Sequence, residues 1–255
     1  MPEFKTPSIG NAIYLLDFAE IVPKIRLEQG RAERAYEGFV FGQSQQTNVP
    51  DDADPNMARI ILDGNHKRIL ISQVKSQLDF DFEKSELTLG QQIDVVEKNA
   101  RDFHRRTTDG FAVIDYRVHA LIVDLQYPSA NDQQALQSFI YDRFFKSPPV
   151  LPVASALCQL GFRSGHYFVN ITANAYESRR FEIAIGGLAP NPLVARQLKD
   201  MELVETGLAF RIDVNNRPRV LEPGYKLSSD PEGIFDTLRS FLTTEFIALT
   251  GLRAI

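Results

Sequence analysis

Between Met57 and Arg106 the sequence passes through strand, turn, strand, strand and helix without interruption, which commits this part of the chain to a helix packed on an antiparallel sheet. Met57–Asp63 and Arg68–Val74 are β-branched and apolar and flank Gly64-Asn65-His66-Lys67, where Gly and Asn accept positive φ, so the pair reads as a hairpin. Gln77–Glu83 alternates strictly, with Leu78, Phe80 and Phe82 facing a core and Asp79, Asp81 and Glu83 facing water. Thr88-Leu89-Gly90-Gln91 has the spacing of a capping box and starts a helix. Its Leu89, Ile93, Val96, Ala100 and Phe103 form one apolar stripe that should cover the sheet.

Upstream, Asn11–Phe18 reads as a first strand, residues 24–36 as a short helix or charged loop, and Gly38–Gly42 as another strand. Gln43–Asn56 holds almost nothing to bury and two prolines, and is expected to be an exposed, mobile loop. Downstream, Phe111–Tyr127 is a long strand in which Ile114, Tyr116, Val118, Ala120 and Ile122 alternate with Asp115, Arg117 and His119. Ser129–Lys146 follows as a helix with Leu136, Phe139, Ile140 and Phe144 on one face, stopped by Pro148 and Pro149. Tyr167–Tyr176 and Arg180–Ile185 read as strands around a Glu177-Ser178-Arg179 turn, and Pro190 and Pro192 suit the start of a short helix carrying Val194, Leu198 and Met201. Gly207–Val214 is a strand, and Asp230 with Pro231 opens a last helix whose Ile234, Leu238, Phe241, Leu242 and Leu249 face inward, closed by Gly251. The expected architecture is α+β: mostly antiparallel sheet in two strand-rich halves, 1–147 and 148–255, each closed by an amphipathic helix, or one compact domain containing both.

A net charge of −5 argues against general nucleic-acid binding, which needs a basic surface to displace counterions from phosphate. The chain has no apolar run near the roughly 20 residues that span a bilayer, and the start, Met-Pro-Glu-Phe-Lys-Thr-Pro, lacks a basic region followed by an apolar one, so a cytoplasmic protein without membrane contact is expected. One cysteine, Cys158, fits a reducing compartment.

Several segments, taken in order, resemble a sporadically distributed bacterial family of about this length. They are Pro7–Ile13, the Arg68–Phe82 strands with the helix after them, Val169–Thr172, Arg211–Val214, and the final helix with Phe235 and Phe241. The resemblance implies a bacterial origin and a single α+β unit. The family has no established activity, so it implies no chemistry.

Motifs for catalysis are absent from the sequence in any specific form. His66, His104, His119 and His166 lack the spacing of a zinc helix, and there is no second cysteine, so no metal or cofactor is expected. His104 falls near a helix C-terminus, where a cation complements the dipole, and His119 reads as a surface or satisfied strand residue. Asp79, Asp81 and Glu83 share a strand face within reach of a divalent ion, yet alternating carboxylates also serve solubility on the wet side of a strand. Gly161–Gly165 and Gly186-Gly187 read as loops. Arg163, His166, Arg179 and Arg180 are the remaining candidate site, for a ligand or partner: the first two precede a strand and the last two sit in its turn, where forked guanidinium bonds can hold an acidic group. The expected function is that of a non-enzymatic interaction protein of a bacterial assembly, defence or regulatory system, binding another protein or itself. A small-molecule-binding regulatory domain and an RNA-binding or RNA-processing protein of two β-rich modules stay open beside it.

Overall fold

The scaffold stretch folds as its pattern dictates. The computed structural model describes residues 2–40, 42, 44–82, 85–113, 115–145, 149–180, 201–220, 222, 225 and 231–255. In it β1 is Ser8–Phe18, α1 is Gln29–Ala35, β2 is Ser44–Gln46, β3 is Ile60–Gly64, β4 is Lys67–Ile71 and β5 is Lys75–Asp81. After α2 (Leu89–Arg105) come β6 (Tyr116–Ser129), α3 (Gln133–Phe144), β7 (Leu157–Ser164), β8 (Tyr167–Arg180) and β9 (Glu202–Asn215), then α4 (Arg217–Val220), α5 (Glu232–Thr243) and α6 (Glu245–Thr250). The described strands make one antiparallel sheet in the order β2-β3-β4-β5-β1-β6-β9-β8-β7, so the fold is α+β.

Two compact units divide the chain. One comprises Met1–Pro7, Gln126–Cys158 and Ala173–Ala209, and the other Ser8–Leu125, Gln159–Thr172 and Phe210–Ile255. In the larger, Gly64 pairs with Lys67 across a two-residue turn whose His66 has φ of 59°, and β5 runs back along β1 with Asn11 opposite Asp81. Thr88 caps α2 with both halves of the capping box formed, and Leu89, Ile93, Val96, Ala100 and Phe103 are all buried. Beyond Arg105 the helix widens into a π turn, Arg106–Gly110, in which Thr107 Oγ1 donates to the Phe103 carbonyl at 2.6 Å. In the smaller unit Phe4 meets Phe139 edge-on at 5.4 Å, Leu136 and Ile140 are buried beside it, and Thr206 Oγ1 hydrogen-bonds the carbonyls of Ser129 and Asn131. Gly207 is required there by space, since a Cβ would stand 2.5 Å from the Tyr127 carbonyl oxygen.

Several expectations are corrected. Gly38–Gly42 is no strand: Glu37 and Val40 form an isolated bridge around Gly38, whose φ is 72°. Along β6 the buried face from His119 onward is the odd one, His119, Leu121, Val123, Leu125 and Tyr127, while Val118 and Ile122 are half-buried. The strand lies between β1 and β9, which close its edges and not its faces; both alternating sets over 120–123 are apolar, so alternation alone does not name the buried face. Ile114 lies outside the described residues. The third helix is capped by Asp132 and not Ser129, and Phe144 is only half-buried. Glu177-Ser178-Arg179 continues β8 and does not turn, whereas Gly161–Ser164, read as a loop, belongs to β7 and is joined to β8 by the Gly165-His166 turn. The expected final helix breaks at Thr244, where Thr243 and Thr244 hydroxyls donate back to the carbonyls of Arg239 and Ser240, a bonding mode that bends helices. After the break Phe246 and Thr250 are the buried residues, and Leu249 is half-buried. The strand 181–185, Gly186-Gly187, the helix with Val194 and Leu198, Pro148 and the Asp230 cap lie outside the described residues.

Gln43–Asn56 also differs from its expectation. Ser44–Gln46 pairs with β3, and 47–56, part half-buried and part exposed, is held by three side chains that donate to carbonyls in and around it. Arg26 donates to the Thr47 and Val49 carbonyls and pairs with Asp51. Fully buried Arg59 donates to Met57, Ala53 and Asp54, and Gln73 Nε2 to Pro23 and Asp51. Composition shows only that the loop buries little of its own. Arg59→Ala is expected to destabilise the protein by about 3 kcal/mol, since it removes three hydrogen bonds to the loop backbone and opens a cavity where a fully buried side chain stood. Urea unfolding measures the loss, and limited proteolysis should cut 47–57 in that variant before it cuts there in the wild type.

Candidate functional site

The four predicted site residues do not converge. Arg163 stands near the end of β7 and His166 in the following turn, both exposed, while Arg179 and Arg180 close the opposite end of β8. Arg179 forms a forked pair with Glu177, at 3.0 and 2.8 Å, and also donates to the Met201 carbonyl; Arg180 lies 4.0 Å from Glu202. Their charges are therefore partly matched within the chain. On the carboxylate face, Asp79 is half-buried and accepts from Gln77 at 2.6 Å, and burial pushes its carboxyl up; Glu83 lies outside the described residues. Among the described residues no three His, Cys, Asp or Glu side chains gather as a metal site would require.

A strong perturbation sits in a place that no motif marked. Tyr14, at the centre of β1, points its hydroxyl at Nδ1 of His104, 2.7 Å away, and of His119, 3.4 Å away. The Tyr14 ring stacks on Phe235 of α5 and meets Phe103 of α2 edge-on, and the Tyr167 ring lies 5.8 Å from that of His119. His119 is also fixed through its backbone, donating from N to Asn216 Oδ1 at 2.9 Å and accepting from Asn216 N at 3.3 Å. Burial pushes His119 down to about 3, with His104 and Arg219 adding to the shift. Tyr14, His104 and His119 are at most 1% exposed, so this is a closed hydrogen-bonded core and no substrate reaches it. A hydroxyl has one proton to donate, so at least one of the two histidines carries its hydrogen on Nδ1 if both contacts are hydrogen bonds. His104 thus serves the core through its ring, where sequence position suggested a cation at a helix end.

A second place is open to solvent. A cleft of about 370 Å³ lies where the β3–β4 turn, the end of β5 and α2 meet, with Phe80, Phe82, Leu87 and Val95 as apolar lining and Asn65, His66, Lys67, Asp81, Ser85 and Asn99 as polar lining. Lys67 Nζ donates to Asn99 Oδ1 at 3.0 Å and sits 3.8 Å from the centre of the Phe39 ring. Burial pushes the Lys67 ammonium down, with Arg106 acting the same way and Asp102 against it. No sequence signal joined these residues, because Phe39, Lys67 and Asn99 are about thirty residues apart from one another and meet only through the sheet and helix packing.

The chain matches no family model, no curated protein and no solved structure. Its fold and its surfaces have to speak for its function. No helix of the described residues is long and apolar enough to cross a membrane.

The His119 shift has a measurable consequence. Its folded value lies below the ordinary histidine value of 6.5, so between about pH 6.5 and about pH 3 the unfolded chain binds a proton that the folded chain refuses. The stability that it contributes is full above that window and falls as the pH drops through it. From about pH 7.5 to about pH 5 the loss from this group should be about 2 kcal/mol. Urea unfolding across that range should show a smaller loss in His119→Gln; equal slopes in the two proteins would contradict the assignment.

Proposed function

We propose that this protein works by binding another protein, and that the contact runs through the segment leading into β7 and along the free edge of that strand. Support comes from the distribution of exposed apolar side chains. Val150 is 99% exposed, Leu151 77% and Leu157 63%, on a segment that also carries exposed Phe145. Isolated apolar residues on a surface need no explanation, but four within thirteen positions, the last of them the first residue of an edge strand, are the composition of a contact surface.

The edge itself favours the same reading. Among the described strands β7 ends the sheet, and its eight residues, Leu-Cys-Gln-Leu-Gly-Phe-Arg-Ser, contain one charge and no proline. Edge strands usually carry charges, prolines or bulges that prevent pairing with another chain. An edge with few such guards suits the addition of a strand from a partner, in which backbone hydrogen bonds give affinity and alternate side chains give selectivity. The opposite edge, β2, is only three residues long and offers much less.

The experiment is affinity purification from the native host, wild type against the double variant Leu151→Asp, Leu157→Lys. The partner recovered with the wild type should fall to less than about a tenth with the variant, given the cost of burying unpaired charges. The variant should melt within about 2 °C of the wild type, because both positions are exposed. Full retention of the partner by the variant, with loss on Leu27→Asp elsewhere on the surface, would refute the proposal.

A further inference from the structure

We infer that the cleft between the β3–β4 turn, the end of β5 and α2 is a binding site for a small organic acid with an aromatic or branched apolar body. It stands apart from the partner surface of β7 and does not depend on it. The volume, about 370 Å³, is within the range of small-ligand sites, and suits a molecule of one or two rings.

Two observations define the ligand. The first is an apolar wall left open: Phe82 is half-buried and stacks on Phe80 at 6.3 Å, Leu87 is 40% exposed, and Val95 is half-buried on α2 next to the buried Val96. Surface of this kind gains by contact with an apolar body. The second is a cation with no carboxylate in direct contact. Lys67 is half-buried, donates to the neutral amide of Asn99 and lies over the Phe39 ring, and among the described residues no carboxylate lies within ion-pair distance of it. A positive charge in such surroundings is poorly solvated, and burial disfavours its ammonium form, so an anionic group beside it would offset both effects. The plainer reading, that the cleft is surface relief filled with water, makes no distinction of charge.

That difference is the test. The full chain is titrated, by fluorescence, with anilinonaphthalene sulfonate, an aromatic monoanion, and with phenylnaphthylamine, its uncharged counterpart. The sulfonate should bind the wild type saturably, about tenfold more weakly to Lys67→Met, and not at all to Val95→Trp, whose indole fills the cleft. The uncharged probe should bind the wild type and Lys67→Met alike. Melting curves identify a variant that fails to fold; if Lys67→Met does, Lys67→Gln, which keeps a donor without the charge, is read in its place. Sulfonate binding that survives Val95→Trp, that is equally tight without the Lys67 charge, or that never saturates in the wild type overturns the inference.

Discussion

The hydroxyl of Tyr14 is the contact on which the larger unit turns. It lies on a strand with neighbours on both sides, β5 and β6, and its partners come from two further places in the sequence, His104 on α2 and His119 on β6. The same ring stacks on Phe235 of α5. A polar group removed from water has to be hydrogen-bonded, so the position of one phenol sets how α2 and β6 approach β1. Gln92 adds to this by accepting from the Ile9 backbone N–H at 2.8 Å, and Arg239 of α5 reaches both Asp94 and Glu97 of α2. The surface pairs add little stability, but they agree in direction with the buried one.

What was legible in the sequence follows from local rules. The β3–β4 hairpin, the alternation of β5 and the capping box of α2 depend on residues within a few positions of each other, and all three stand in the structure. Long-range geometry was not legible. Period-two alternation could not fix the face of β6, because both alternating sets over 120–123 are apolar. The buried Arg59 looks like a surface charge in any window, and only the carbonyls of Ala53, Asp54 and Met57 explain its place. Thr243-Thr244 is compatible with a helix by propensity alone, and breaks it through hydroxyl bonds that a hydrophobic stripe does not reveal. For the candidate sites, Arg163, His166, Arg179 and Arg180 were singled out by charge, and the strand β8 keeps the pairs at its two ends. Lys67 passed as an ordinary turn residue, since Asn99 and Phe39 had yet to be brought to it.

Burial also separates the parts of this molecule that hold it together from those that face a ligand or partner. A histidine pushed down to about 3 is the kind of perturbation found in catalytic sites, but closed off from solvent it is a property of the core. The β7 edge and the Lys67 cleft have the opposite character: apolar surface stays open, and in the cleft Lys67 is bonded to a neutral amide. Binding is the common theme of both proposals, one for a chain and one for a small acid.

The central claim is that the Tyr14 hydroxyl organises the larger unit. Tyr14→Phe tests it with least disturbance, because the ring contacts with Phe103 and Phe235 remain and only the oxygen is removed. Measured by urea unfolding at about pH 7.5, the variant should lose about 2 kcal/mol, the cost of leaving a buried imidazole nitrogen without its partner. A loss below about 0.5 kcal/mol would contradict the account, for it would show that α2 and β6 hold their places on β1 through apolar packing alone.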